Sequence, residues 1–194
     1  RISLMPRLRV GDTIENFFYE NAKGEKKLFF DLLTGPSILW FMRYVGCTAC
    51  QVDLHDLEQL LPELERQGIV VAVVLQSTPD SIARQRPEGF PFEVICDPDR
   101  ALYRKFEVPC AKSRMTMLSV GLPKKLSRAK SLGLQHGEYE GSELQLPALF
   151  LINNEGKLLY TRYAKTLTDL PDIEDLPNMM RMLNKKKTPL TEPR

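Results

Sequence analysis

The sequence predicts an α/β fold, with a central mixed β-sheet, helices on both of its faces and an N-terminal β-hairpin. The run 37–43 is apolar over most of its length, as is typical of a strand covered on both faces. Over residues 52–64 the apolar side chains recur at helical spacing, with acidic residues between them. The apolar run 69–75 predicts a second buried strand. A strand, a helix and a strand joined by short connections form a βαβ unit, so we expect these two strands to be parallel.

The other elements are predicted from shorter signals. Turn residues at 21–24 separate two strand candidates and predict the N-terminal hairpin. The Asn-Asn-Glu-Gly turn at 153–156 predicts a second hairpin near the end of the chain. The predicted strands outside the βαβ unit are Phe17–Tyr19, Lys27–Phe30, Phe92–Ile95, Leu149–Ile152 and Lys157–Tyr163. The predicted helices are Asp80–Gln85, Arg100–Phe106, Leu122–Leu132 and Ile173–Leu183.

Length and composition indicate one globular domain. The chain has 194 residues, of which 43% are hydrophobic and 27% charged, and we assign residues 1–184 to a single domain and 185–194 to a disordered tail. A net charge of +2 gives no sign of a nucleic-acid partner. The apolar runs are far shorter than the roughly 20 residues that a membrane-spanning helix needs. The N-terminus does not resemble a signal peptide, and four cysteines are too few for a disulfide framework, so we expect a cytoplasmic protein.

The motif Cys47-Thr48-Ala49-Cys50 is the strongest functional signal. Cys47 comes directly after a predicted buried strand and opens a predicted helix. Unpaired backbone N–H groups and partial positive charge at a helix start stabilise a thiolate, which is the reactive form of cysteine. Cys50 lies three residues on, hence on the same side of the helix. Cys47 is therefore a candidate nucleophile, and Cys50 is a candidate to resolve a mixed disulfide or sulfenic acid formed on it.

Two alternatives remain open for this pair. Two cysteines at this spacing are half of a zinc site, but the other candidate ligands, Cys96, Cys110, His55 and His136, include no second close pair. Both thiols could instead be packed and inert. Cys96 follows an apolar strand and is typical of a buried thiol. Cys110, in a loop, is a candidate second resolving cysteine or an incidental one.

Beyond this motif, the chain over residues 8–183 resembles the alkyl hydroperoxide reductase/thiol-specific antioxidant (AhpC/TSA) proteins, which are peroxiredoxin-like proteins on the thioredoxin fold. The matching segments, in the family's order and spacing, are Leu8–Asp12, Ser37–Cys47, Val71–Ser81, Cys96–Tyr103 and Pro147–Lys157. The resemblance implies a thioredoxin-like fold. It also implies a redox centre in which Cys47 attacks the substrate and Cys50 resolves the product, with no cofactor beyond the Cys47–Cys50 disulfide.

The sequence departs from the family pattern at three places. Typical peroxiredoxins carry Pro-x-x-x-Thr-x-x-Cys, but here Trp40 stands at the Pro position and Tyr44 at the Thr position. The family's activating arginine would precede the last strand pair, where this chain has Leu146-Pro147-Ala148. A proline there is similar to thioredoxins, in which it is cis and lies against the active-site disulfide. Tyr44, Pro147, Arg43 and Thr48 are therefore the candidate supporting residues, Arg43 as a source of positive charge near Cys47.

Three functions are consistent with these residues. The first is a thiol-dependent antioxidant oxidoreductase that reduces hydroperoxides. The second is a thioredoxin-like oxidoreductase that acts on protein disulfides, which Pro147 and the missing Thr and Arg favour. The third is a non-catalytic binding module. Both catalytic functions need a dithiol electron donor such as a thioredoxin. The segment 109–145 is longer than a usual connection, so we expect it to form a binding surface or a homodimer contact.

Overall fold

A computed structural model describes residues 7–185 as one seven-stranded mixed sheet flanked by helices. The strands are β1 (Phe18–Asn21), β2 (Lys26–Leu28), β3 (Ser37–Phe41), β4 (Val70–Leu75), β5 (Glu93–Cys96), β6 (Ala148–Ile152) and β7 (Leu158–Tyr163). The helices are α1 (Thr48–Arg66), α2 (Pro79–Gln85), α3 (Ala101–Lys105), α4 (Arg114–Met117), α5 (Leu122–Ser131) and α6 (Leu176–Lys185). Two 3-10 turns, Phe29–Leu32 and Ile173–Asp175, complete the elements.

The sheet order is β2-β1-β5-β4-β3-β6-β7. Strands β3, β4 and β5 are parallel, which confirms the predicted βαβ unit, and the other pairs are antiparallel. The N-terminal hairpin joins this sheet because β1 pairs with β5. The predicted α/β architecture with helices on both faces is therefore confirmed.

Alternating side chains of the buried strands divide the core into two layers. Ile38 and Trp40 of β3 face the layer that holds α1, α5 and α6. Leu39 and Phe41 face the opposite layer, which holds α3, the first 3-10 turn and the segment before β1. Because β3 is buried on both faces, it fixes the position of the connection that follows it, where the cysteine motif begins.

Three predicted boundaries were wrong. The second hairpin strand stops at Leu28, because Phe29 turns inward, is fully buried and stacks on Phe17 with 4.8 Å between ring centroids. The closing helix splits into a 3-10 turn and α6, whose second residue, Pro177, has no N–H to offer a preceding turn. The helix also includes Lys185, which we assigned to the tail, whereas residues 186–194 lie outside the described part.

The short helix α4 was not predicted, because it spans only four residues and has no run long enough to show a helical period. Within residues 7–185 no helix is both long and apolar enough to cross a membrane.

The Asp-Pro-Asp segment after β5 yields a stability prediction. Asp97 is buried, and its carboxylate accepts hydrogen bonds from the N–H groups of Ala101, Leu102 and Tyr103 at the start of α3. Asp97→Ala leaves these buried donors without an acceptor, so we expect the free energy of unfolding to fall by about 1–3 kcal/mol. Urea denaturation followed by circular dichroism measures this change.

Asp99→Ala is the matched control, since Asp99 belongs to the same segment but is exposed. We expect its effect to stay within about 0.5 kcal/mol. Equal losses in the two variants would show that the buried carboxylate does not hold α3 in place.

Candidate functional site

Cys47 lies at the junction between β3 and α1, as the sequence predicts. It is the N-cap residue of α1, and its carbonyl accepts the first helical hydrogen bond, from the N–H of Gln51, at 2.9 Å. Cys50 lies in the first turn of the same helix. Both thiols are free, and their residues are 2% and 6% exposed respectively. The pair therefore occupies the positive end of a 19-residue helix, beneath the protein surface.

Arg43 connects the two thiols. Its side-chain Nη1 donates to Cys47 Sγ at 3.2 Å, and its backbone N–H donates to Cys50 Sγ at 3.4 Å. The other guanidinium nitrogen, Nη2, donates to the Glu143 carbonyl at 2.7 Å and lies 3.3 Å from its carboxylate. Arg43 is 9% exposed, so its charge is buried between a sulfur and a carboxylate.

These contacts separate the acidities of the two thiols. Hydrogen bonding by the Cys50 thiol and the positive charge of Arg43 lower the pKa of Cys47 to about 6, against the opposing effect of burial. Burial raises the pKa of Cys50 well above that of an ordinary thiol, and its hydrogen bond to Cys47 acts in the same direction. At neutral pH the site therefore holds a thiolate at Cys47 and a protonated thiol at Cys50.

Tyr44 is fully buried beside this pair and meets a residue that has no signal in the sequence. Its hydroxyl lies 3.1 Å from Nε2 of His136, and Nδ1 of His136 lies 2.8 Å from the Gly137 carbonyl. A carbonyl only accepts hydrogen bonds, so in the neutral ring Nδ1 carries the proton and Nε2 accepts from Tyr44. Burial raises the pKa of Tyr44 above its ordinary range. The phenol therefore stays protonated and, with the ring neutral, donates a hydrogen bond to His136.

Residues 133–145, hereafter the cover segment, shield the cysteine motif from solvent. The N–H of Gly137 donates to the carbonyl of Gly46 at 2.8 Å, an approach so close that a Cβ on Gly46 would lie 2.5 Å from the Glu138 carbonyl oxygen. Other contacts along the cover segment join Gln51 to Gln135, Arg84 to Glu138, Ser77 to Glu140 and Gln76 to Ser142. With the segment in this position, Cys47 is 2% exposed.

Pro147 lies where a thioredoxin-like proline would, but its geometry differs. It lines a small cavity of about 10 Å³ together with Cys50, Trp40, Arg43 and other residues. Every peptide bond across residues 7–185 is trans, so the cis bond that the thioredoxin resemblance implied is not present. Pro147 thus lies beside Cys50 with a trans peptide bond before it, unlike the cis proline of thioredoxins.

The remaining candidates lie outside the thiol pair. Thr48 is the first residue of α1 and is half-buried. Cys96 is buried in β5, and burial raises its pKa to about 12, as suits an inert thiol. Cys110 is exposed, with Arg100 Nη1 at 3.4 Å from its sulfur. In the described range, no three His, Cys, Asp or Glu side chains are grouped so as to hold a metal ion.

Sequence reasoning missed Glu143 altogether, and it weighed His136 only as a zinc ligand and not as a partner of Tyr44. Glu143 is 100 positions from Arg43 along the chain, and the two meet only because the cover segment folds back over the motif. The absence of periodicity in this loop gave no basis for pairing either residue with the cysteines.

Comparison with known families now adds to this geometry. The profile of the AhpC/TSA family matches residues 10–161. The chain belongs to the AhpC/TSA family. No curated protein matches the sequence.

Solved structures show the same fold as this AhpC/TSA chain at low sequence identity. A mutant of peroxiredoxin 6 of Arenicola marina is 15% identical, with a TM-score of 0.70 over 95% of this chain and 80% of that one. A yeast mitochondrial 1-Cys peroxiredoxin is 14% identical, with a TM-score of 0.67 over 96% and 83%. A Chlorobium tepidum protein assigned as the thiol:disulfide interchange protein DsbE is 19% identical, with a TM-score of 0.59 over 91% and 98%. These likenesses confirm the thioredoxin-type fold.

In this AhpC/TSA chain the guanidinium near Cys47 comes from a different place in the chain than the sequence resemblance implied. The segment before β6 holds Pro147, while Arg43, from the connection after β3, donates directly to Cys47. The positive charge is thus retained at the sulfur although the residue before β6 is not an arginine.

The acidity of Cys47 gives a prediction that does not depend on substrate. Thiolate absorbance at 240 nm should appear as the pH rises through about 6 in the wild type. Arg43→Leu removes the guanidinium that stabilises the thiolate, so we expect the transition to move to higher pH by one unit or more, on the order of 1.4 kcal/mol per unit. Arg104→Leu, an exposed arginine on α3, is the control and should leave the transition unchanged. A titration identical in Arg43→Leu and wild type would mean that the guanidinium does not stabilise the thiolate.

Proposed function

We propose that this chain is a thiol-dependent peroxidase in which Cys47 reacts with a hydroperoxide and Cys50 resolves the product. The observation that carries the proposal is the Arg43 contact, since one guanidinium donates to Cys47 and leaves it the more acidic of two adjacent thiols. Membership of the AhpC/TSA family supports the choice of a peroxide as substrate.

The proposed reaction balances in two steps. The Cys47 thiolate attacks one oxygen of the hydroperoxide, an S–O bond forms and the O–O bond breaks, and the leaving alkoxide takes a proton to become an alcohol or water. Cys47 is then a sulfenic acid. The Cys50 sulfur attacks the Cys47 sulfur, an S–S bond forms, and the hydroxide that leaves combines with the proton lost by Cys50 to give water.

The depth of the site supports a small substrate. Cys47 is 2% exposed beneath the cover segment, and the cavity beside Cys50 has a volume of about 10 Å³. A hydroperoxide needs a small opening of the cover segment, whereas a protein disulfide must bring a folded surface up to the sulfur. Reaction with a peroxide therefore needs the smaller rearrangement, and the larger one belongs to the later step in which a protein donor reduces the disulfide.

A protein disulfide is the second candidate substrate, and one observation favours it. Pro147 lies beside Cys50, in the place that a thioredoxin-like enzyme uses next to its disulfide, while Tyr44 occupies the position of the peroxidase threonine. The Tyr44 hydroxyl donates its hydrogen bond to the neutral His136 ring, so it is not free to donate to a bound peroxide.

The rest of the proposed cycle needs no cofactor beyond the Cys47–Cys50 disulfide. A dithiol donor such as a thioredoxin supplies two electrons and two protons to restore the thiols. We place the cycle in the cytoplasm, where such donors are kept reduced.

Rapid mixing of the reduced protein with hydrogen peroxide tests the proposal. Trp40, the only tryptophan of the chain, lines the cavity beside Cys50, so its fluorescence should report changes at the pair. We expect two phases in the wild type, the first proportional to peroxide concentration and the second independent of it. Cys50→Ser should keep only the first phase and accumulate a sulfenic acid that dimedone traps. Cys47→Ser should lose both phases.

Cys110→Ser is the matched control, because it removes an exposed thiol and should keep both phases. If the wild type does not react with peroxide but turns over a disulfide substrate, the second candidate replaces the first. If Cys47→Ser matches the wild type in both assays, the chain is not a thiol enzyme.

A further inference from the structure

The segment from residue 108 to 137 has a charge unlike that of the rest of the chain. It contains six lysines and arginines and no aspartate or glutamate, whereas the remainder has more acidic than basic residues. Lys125 and Arg128 are paired with Asp53 and Asp56 of α1. The other four, Lys112, Arg114, Lys124 and Lys130, are exposed, and no carboxylate among residues 7–185 lies within ion-pair distance of them.

Exposed apolar side chains lie among these cations. Met115, Leu118 and Val120 are each more than half exposed, and Val120 projects fully into solvent. Isolated apolar side chains on a surface need no explanation, but three within six residues, flanked by unpaired cations, are typical of a binding surface. We call these six residues, Lys112, Arg114, Met115, Leu118, Val120 and Lys124, the basic–apolar surface.

The segment that carries this surface is anchored to the cavity beside Cys50. The carbonyl of Met117 accepts a hydrogen bond from the N–H of Leu167 at 3.1 Å, and Leu167 lines that cavity. On the other side, Lys125 Nζ lies 2.6 Å from Asp53 Oδ1, and Asp53 lines the same cavity. Leu118, Val120 and Lys124 thus lie between two attachments to the thiol site, and the other three residues of the surface come just before the first attachment.

The chain just before the basic–apolar surface, at Ala111, also contacts the cover segment. The N–H of Ala111 donates to the carbonyl of Leu144 at 2.7 Å, next to the Glu143 that holds Arg43. A protein bound at the basic–apolar surface therefore lies against the end of the cover segment, which must move before any protein thiol reaches the cysteines.

From these contacts we infer that the basic–apolar surface docks the dithiol protein that reduces the Cys47–Cys50 disulfide, and that this donor presents acidic residues around an apolar patch. The inference rests on the proposed function. Unpaired cations select an acidic partner and raise its association rate, and the three apolar side chains supply a contact that excludes water. Aromatic anchors, which are typical of surfaces that bind lipid, are missing from the six residues.

The reduction that docking promotes balances as two exchanges. A donor thiolate attacks the Cys47 sulfur, a mixed disulfide forms, and the Cys50 sulfur leaves and takes a proton. The second donor thiol then loses its proton, which balances the one taken up by Cys50, and attacks the first donor sulfur. The donor leaves as a disulfide, and Cys47 is released as the thiolate that Arg43 stabilises.

The test compares a protein donor with a small one on the same oxidised enzyme. The disulfide form is prepared with diamide, so the measurement does not depend on reaction with peroxide. An acidic thioredoxin, kept reduced by its reductase, and dithiothreitol are the two reductants. For the double variant Arg114→Glu with Lys124→Glu, we expect kcat/KM with thioredoxin to fall about tenfold or more, in line with electrostatic steering. The rate with dithiothreitol should change less than twofold.

Two further variants sharpen the result. Val120→Gln, which changes no charge and no packed residue, should lower the thioredoxin rate alone. Lys23→Glu with Lys26→Glu makes the same charge change on the hairpin at the β2 edge of the sheet and should leave both rates unchanged. Added salt should slow the wild type with thioredoxin and have little effect on Arg114→Glu with Lys124→Glu.

Several outcomes would overturn the inference. Unchanged thioredoxin rates would show that the surface does not dock the donor, and equal losses with both reductants would mean that the variants damage the site itself. If thioredoxin rates hold but the variants lose binding to phosphatidylglycerol vesicles, the surface meets a membrane. If instead the variants abolish a dimer seen by sedimentation, the basic–apolar surface binds a second copy of this chain. If the protein does not react with peroxide but the variants still lose only the thioredoxin rate, the proposed function is overturned and the docking inference is not.

Discussion

The buried guanidinium of Arg43 is the constraint on which the site depends. A charge held at 9% exposure is costly unless it is paired, and here its partners are the Cys47 sulfur and the Glu143 carboxylate and carbonyl. The same contacts that compensate the arginine make the thiolate the favoured form of Cys47. Because the backbone N–H of Arg43 also meets Cys50, one residue sets the environment of both sulfurs.

Arg43 can act in this way because the chain around it is fixed by the sheet. The Tyr103 hydroxyl reaches the carbonyl oxygens of Met42 and Val74, which joins the end of β3 to β4 immediately before the arginine. The N–H of Gln76 donates to the Arg43 carbonyl at 2.8 Å, and the N–H of Val45 donates to the Ser77 hydroxyl at 2.9 Å. Strand pairing and these local hydrogen bonds thus position Arg43, and Arg43 in turn sets the environment of the two sulfurs.

The sequence was sufficient to predict the strand–helix junction that carries the cysteines, but not the residues of the cover segment that contact it. The apolar run of β3 and the helical spacing of α1 are local patterns, so Cys47 at the strand–helix junction and Cys50 one turn on were predictable. Glu143 and His136 were not, because they lie in a loop without periodicity and reach Arg43 and Tyr44 only through the tertiary fold. Pro147 occupies the position along the chain that the resemblance to thioredoxins indicated, but the peptide bond before it is trans, unlike the cis bond of thioredoxins.

The central claim is that the two thiols that Arg43 contacts have different roles, with Cys47 as the attacking thiol and Cys50 as the resolving thiol. Its most direct measurement is peptide mapping by mass spectrometry after the fully reduced protein has reacted with one equivalent of hydrogen peroxide and been alkylated. The account predicts one new cross-link, between Cys47 and Cys50, with Cys96 and Cys110 alkylated as free thiols. A Cys47 found as sulfinic acid beside an alkylated Cys50, or a cross-link from Cys47 to Cys110, would contradict it.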